Sequence, residues 1–201
     1  MTKFTRQDLY NCIITGLITG FVIWRVLDYL DIRSLPFSLA WFVILVPILW
    51  ILGVNFGYWL GQWIPFFTRF GKFAAVGFTN GAVDFGVLYW EIASFGVASG
   101  LQFALYKTIS FFVAMLHSYF WNKRWTFNAD QSSGGWKEFF KFMAVTLTSL
   151  VINVIVATLV VNAGASLGHD LKLWSGLGTI VGSAAALVFS FLGFKMVVFK
   201  R

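Results

Sequence analysis

Charge is what this sequence has least of. Asp, Glu, Lys and Arg make up only 11% of its 201 residues, against 59% hydrophobic and 20% aromatic. A water-facing domain of this size carries about a quarter charged residues, so eight acids and fifteen bases cannot clothe a soluble globule. The single cysteine, Cys12, excludes an internal disulfide. His117 and His169, without zinc-type Cys/His spacing, argue against a structural metal site. The bases are not strung along a polar stretch with interleaved aromatics, which removes nucleic acid as a partner despite a net charge of +7. Nor is any polar segment long enough to hold the metal-binding acids of a nucleotide-sugar transferase. The only close acid pair is Asp28 with Asp31. The chain reads as non-enzymatic, with no cofactor.

What is present is a series of long apolar runs. A helix needs about 20 mostly apolar residues to cross a bilayer, and the runs are approximately 9–27, 35–64, 70–95, 101–122, 139–162 and 173–198. The expected fold is therefore all-α, a polytopic membrane bundle of about six transmembrane helices. The second run is longer than a span requires and contains Pro47, so it tilts, kinks there, or leaves the bilayer near Gly61. Lys3 and Arg6 ahead of an apolar stretch resemble a signal peptide. No small-x-small site follows, however, and Arg25, Asp28 and Asp31 come next, so the run reads as an uncleaved first helix.

The bases sit at the ends of the runs. With the loops numbered alternately, one side collects eleven, from Lys3 and Arg6 through Lys123 and Arg124 to Lys200 and Arg201. The other side has Arg25, Arg33 and Lys172. The positive-inside rule then places both termini in the cytoplasm, and the expected location is the cytoplasmic (inner) membrane. The polar loop from Asn128 to Trp136 is cytoplasmic on the same reading. Trp63, Trp125, Trp136 and Trp174 fall at run ends, as an interfacial belt requires.

A two-helix unit occurs twice. Phe70, Lys72, Phe73, Ala75, Val76 and Thr79 return 69 positions later as Phe139, Lys141, Phe142, Ala144, Val145 and Thr148. Ala114, Ser118, Lys123 and Phe127 return 72 positions later as Ala186, Ser190, Lys195 and Phe199. Two helices bring the chain back to its starting side, so the last four form two parallel two-helix repeats. Residues 1–65 lie outside them as a two-helix extension. The copies differ in chemistry: Asn80, Asp84, Lys107, Asn122 and Arg124 face Ser149, Asn153, Thr179, Phe194 and Met196.

Those five first-copy residues are the candidate binding site. A charge at the bilayer centre costs at least about 2.5–3.5 kcal/mol, so Asp84 and Lys107 should point inward and find partners. Glu91, two turns beyond Asp84, is the other acid within reach of Lys107. The plainer reading is an ion pair that fixes helix register. The functional one is a polar cavity in which Lys107 meets a phosphate while Asp84 and Asn80 bond hydroxyls. Asn122 and Arg124 close the fourth run at the cytoplasmic face, where arginine's planar fork suits a lipid phosphate. Small-xxx-small spacings (Gly16/Gly20, Gly53/Gly57/Gly61, Gly77/Gly81, Gly178/Gly182) mark close helix contacts within the chain or between protomers. A homo-oligomer is one way for so short a chain to enclose a large head group. His117 reads as a packed residue.

The segments FGKFAAVGFTNGAVDFGVLYW (Phe70–Trp90) and KTISFFVAMLHSYFWNKRWTF (Lys107–Phe127), with a second copy ending FKMVVFK, resemble the GtrA-like family over about residues 66–201. The motif positions are Phe73, Val76, Gly77, Asn80 and Asp84, then Asn122, Lys123, Arg124, Trp125 and Phe127. Phe194 replaces the motif asparagine in the second copy, and the N-terminal pair is extra to a four-helix family core. The resemblance implies a role with polyprenyl-phosphate sugars in cell-surface polysaccharide or glycan synthesis. That role is as a translocator (flippase), or as a membrane partner of a polyprenyl-phosphate glycosyltransferase. A similar domain is fused to some dolichol-phosphate mannose synthases.

The charge bias is directly testable. A green fluorescent protein fused after Arg201 is expected to fluoresce, and alkaline phosphatase at the same point to stay inactive; the reverse pattern would invert the orientation.

Overall fold

The computed structural model describes residues 3–32, 36–96, 100–130, 134–166 and 171–200. His169, Arg33, Arg201 and the loop residues Ser132 and Ser133 lie outside the described residues, as does the side chain of Lys172. Six long helices account for almost all of the described chain: α1 (Arg6–Tyr29), α2 (Phe42–Leu60), α3 (Phe66–Phe95), α4 (Gly100–Trp121), α5 (Gly135–Ser166) and α6 (Leu171–Gly193). Four segments are long and apolar enough to cross a membrane by composition alone, at Arg6–Tyr29, Leu39–Leu60, Gly135–Gly164 and Trp174–Val198. The α3 and α4 helices fall short of that measure because they carry the polar first copy, with Arg69, Lys72, Asp84, Glu91 and Lys107. Large apolar side chains are bare on the outside, Ile180 at 68% and Phe78 at 67% exposure among them. Such a surface is stable against hydrocarbon, not water. The molecule is a polytopic helical membrane protein.

Helix boundaries follow local chemistry. Thr5 and Asp8 open α1 with a capping box: the Asp8 amide donates to Thr5 Oγ1 (3.1 Å) and the Thr5 amide to Asp8 Oδ2 (3.0 Å). Pro47 lies inside α2, which runs on past it to Leu60 with Gly61 as its C-cap. The long second run therefore ends as a helix near Gly61, and Pro65 starts the next one as the N-cap of α3. Proline suits that place because its missing N–H would have no helical partner there.

The chain forms two compact units, Met1–Asn128 and Ala129–Arg201. In the first, α1, α2, α3 and α4 form a bundle in which α1 and α2 pack on α3 as well as on each other. The N-terminal pair thus shares a core with the first repeat: Cys12, Val54, Ala75, Val76 and Trp125 are buried together. Thr19 Oγ1 donates to Thr79 Oγ1 (3.0 Å), joining α1 to α3 inside that core. The second unit is the α5–α6 hairpin.

Both repeats end alike. A five-residue π-helical turn follows α4 at Asn122–Thr126 and follows α6 at Phe194–Val198. The Phe127 amide donates to the Asn122 carbonyl (2.9 Å), and 72 positions on the Phe199 amide donates to that of Phe194 (2.8 Å). Wide turns of this kind are rare and recur at functional sites.

Glycines mediate the closest crossings. A Cβ on Gly16 would meet the backbone of Pro47, and one on Gly20 the carbonyl of Phe42. Gly57 and Gly71 bring α2 and α3 together, whereas a Cβ on Gly53 or Gly81 would meet no atom within 4 Å. We expect Gly20→Ala to cost about 1–3 kcal/mol through overpacking and Gly53→Ala to be neutral or slightly stabilising. Thermal unfolding of the two variants in one detergent measures the contrast.

Candidate functional site

The site begins with one acid on α3 and two residues of α4. Lys107 Nζ pairs with Asp84 Oδ2, and Ser110 Oγ donates to Asp84 Oδ1 (2.7 Å). Lys107 and Ser110 lie three apart, hence on one helical face, so both reach the same carboxylate. Ser110 is fully buried, yet the Lys107 side chain is 42% exposed and that of Asp84 21%. The pair is therefore not sealed in the seam between the helices. Glu91 does not compete for Lys107; it is buried, with Oε2 unpartnered among the described residues.

Asn80 stands one turn from Asp84 on the same face of α3, its Oδ1 buried without a hydrogen bond among the described residues. Asn122 opens the π-turn. Its Nδ2 donates to the Ser118 carbonyl (2.9 Å) and Oγ (3.2 Å), while its Oδ1 is buried and unpartnered among the described residues. Arg124 is exposed, its guanidinium 4.4 Å from the centre of the Phe120 ring. The structure thus gathers Asp84 with Lys107, adds Ser110, and keeps Asn80 alongside. Asn122 and Arg124 lie at the other end of α4, roughly 22 Å of helical rise from Lys107. His117 is part-buried, and neither of its nitrogens has a hydrogen bond among the described residues.

The second copy shows the same positions with the charge removed. Asn153, at the place of Asp84, donates weakly to Ser183 Oγ (3.5 Å). Ser149, at the place of Asn80, accepts from Ser190 Oγ (2.6 Å), so that hairpin closes on itself. Phe194, at the place of Asn122, stacks on Phe142 with ring centres 4.3 Å apart. Where the first copy leaves buried oxygens unmatched, the second fills the space with apolar contact.

Sequence reasoning missed a second cluster at the base-rich end of the first unit. Asp8 is only 2% exposed. Its carboxylate accepts from the Thr5 amide and hydroxyl, from Tyr58 Oη (2.8 Å) and from Trp125 Nε1 (2.9 Å), and it pairs with Lys72 Nζ (2.6 Å). Trp125 is accordingly a core residue, 3% exposed, and not a member of the interfacial belt, whereas Trp63 (64%) and Trp136 (77%) are bare. The Thr5-x-x-Asp8 capping box was the available signal, but it points to a helix start and says nothing of Tyr58, Lys72 or Trp125.

Removing one partner of a buried ion pair costs about 3–5 kcal/mol, and exposed pairs are worth about 0–1 kcal/mol. Asp8→Ala is therefore expected to lower the melting temperature sharply. Asp28→Ala, which breaks the exposed Arg25–Asp28 pair (3.2 Å), should leave it nearly unchanged; thermal unfolding in detergent compares them.

Comparison with known proteins places this geometry. The chain is 28% identical over 129 residues to an uncharacterized membrane protein, YngA, of Bacillus subtilis (strain 168), covering 64% of this chain and 78% of that one. No solved structure matches. The family model for the GtrA/DPMS transmembrane domain matches residues 72–199, well over half the chain and all but the first residues of the two repeats. With nearly all of both hairpins inside that match, the chain belongs to the GtrA/DPMS transmembrane-domain family.

Proposed function

We propose that the protein handles polyprenyl-phosphate-linked sugars in cell-surface polysaccharide or glycan synthesis, carrying them across the inner membrane as a non-catalytic translocator. The observation that carries this reading is the half-open Asp84–Lys107–Ser110 set on the first repeat. An ion pair in hydrocarbon is costly to keep, and one meant only to fix register would gain from being closed. Lys107 has two further ammonium protons to offer, and a phosphate reaching it competes directly with Asp84. Released from Lys107, Asp84 becomes an acceptor for sugar hydroxyls, with Asn80 one turn away. Membership in the GtrA/DPMS transmembrane-domain family is consistent with a lipid-linked sugar as the cargo. The base-rich helix ends support an orientation with both termini in the cytoplasm.

A second reading is favoured by the open glycine faces. A Cβ on Gly53 or Gly81 would meet no atom within 4 Å, which leaves room for the close approach of another helix, as in a membrane partner of a polyprenyl-phosphate glycosyltransferase. Both roles are compatible in one molecule.

The test is transfer of a fluorescent polyprenyl-phosphate sugar between leaflets of liposomes containing the purified protein. Wild type should outpace empty vesicles. Asp84→Ala and Lys107→Ala should each slow transfer about tenfold or more, the equivalent of at least 1.4 kcal/mol of lost interaction. Thr179→Ala, the second-copy counterpart of Lys107, should not. Equal rates in all vesicles would leave only the partner role.

A further inference from the structure

Beside Asp8 a cleft of about 370 Å³ opens among the ends of α1, α2 and α3 and the π-turn after α4. That is within the range of small-ligand sites. Three bases line it, Lys3, Arg69 and Lys72, against the single acid Asp8. The acid is already saturated by its Thr5, Tyr58, Trp125 and Lys72 donors. Only one of the three Lys72 ammonium protons is used on it. Arg69 is exposed, and neither it nor Lys3 makes an ion pair among the described residues. The cleft therefore carries an excess of positive charge that the protein itself does not neutralise.

A second observation points the same way. Thr126, in the π-turn, also lines the cleft; it is 3% exposed and its Oγ1 has no hydrogen bond among the described residues. A buried hydroxyl left unpartnered costs about 1–3 kcal/mol, and its residue belongs to the cleft wall. The second repeat is an internal contrast. At the positions of Arg69 and Thr126 it has Glu138 and Val198, so the cationic and hydroxyl donors are lost together. The N-terminal extension contributes Lys3, Thr5 and Asp8, so it completes the cleft.

We propose that this cleft binds a phosphate group, either free in solution or on the head group of an anionic lipid. Arg69 offers a planar fork, Lys3 and Lys72 offer point charges, and Thr126 offers a hydroxyl donor. The site is separate from the Asp84–Lys107 set, since Lys72 and Asp84 are about 18 Å apart along α3. It stands or falls independently of translocation.

The experiment uses the full chain in phosphatidylcholine nanodiscs, with two probes. Inorganic phosphate is titrated by isothermal calorimetry, and phosphatidic acid doped into the discs is counted on the protein by native mass spectrometry. Saturable binding of inorganic phosphate identifies a soluble ligand; retention of phosphatidic acid without it identifies a lipid one. In either case Arg69→Gln should weaken binding about tenfold, as loss of a charged hydrogen bond implies. Thr126→Val should weaken it severalfold, and Lys141→Gln in the second repeat should have no effect. Neither substitution touches the Asp8 network, and an unchanged melting temperature confirms that the fold is kept. If neither probe binds saturably, or if Arg69→Gln and Thr126→Val bind like wild type, the proposal is overturned.

Discussion

A carboxylate removed from water has to be fully supplied with donors, and in the first unit that requirement is met by bringing four chain segments to one point. Asp8 at the head of α1 takes Tyr58 from the end of α2, Lys72 from the start of α3 and Trp125 from the turn after α4. None of these partners is near it in sequence. Withdrawing any one leaves a buried charge or donor short, which is far costlier than the net worth of the contact itself. The network therefore acts as a geometric clamp, fixing helix register at the end where the cationic cleft opens. The apolar core of Cys12, Val54, Ala75 and Val76 lies directly around Trp125, so packing and polar satisfaction reinforce each other.

The duplicated hairpins show how one backbone plan serves two chemistries. Both keep the π-turn and its closing hydrogen bond, because those depend on the main chain. The side chains diverge where they face each other across the seam. In the second copy Phe142 and Phe194 stack, and Ser149 and Ser190 bond to one another. In the first copy the same region carries Asn80 and Asn122 with buried oxygens unmet. A half-satisfied polar seam is less stable than an apolar one of equal volume, so the first hairpin carries a stability cost that the second does not.

Much of this was legible in the sequence, for physical reasons that can be named. Length and apolarity alone located the helices, since few structures other than a helix can cross hydrocarbon. The pairing of Asp84 with Lys107 followed from the cost of isolated charge, although the same argument admitted Glu91, and only packing distinguished the two acids. Asp8 was hidden because its partners lie 50, 64 and 117 positions away and its local context has the look of an ordinary helix cap. Trp125 looked interfacial for the same reason: position along a run does not reveal which side of the helix meets lipid. The π-turns were invisible, since one extra residue in a turn leaves no mark on composition.

The two polar regions of the first unit are opposite solutions to one electrostatic problem. At the helix ends, Asp8 is surrounded by five donors and buried, so its charge is spent within the protein and is unavailable to a ligand. Deeper along α3, Asp84 has two side-chain partners and keeps a partly open face. An acid with two donors in an apolar medium is under-solvated, so any further hydrogen-bond donor reaching it gains more than it would in water. Its lysine is likewise short of acceptors. A site of that kind favours a partner that brings an anion and hydroxyls together over one that brings either alone. The phosphate-linked sugar that we propose as cargo does so.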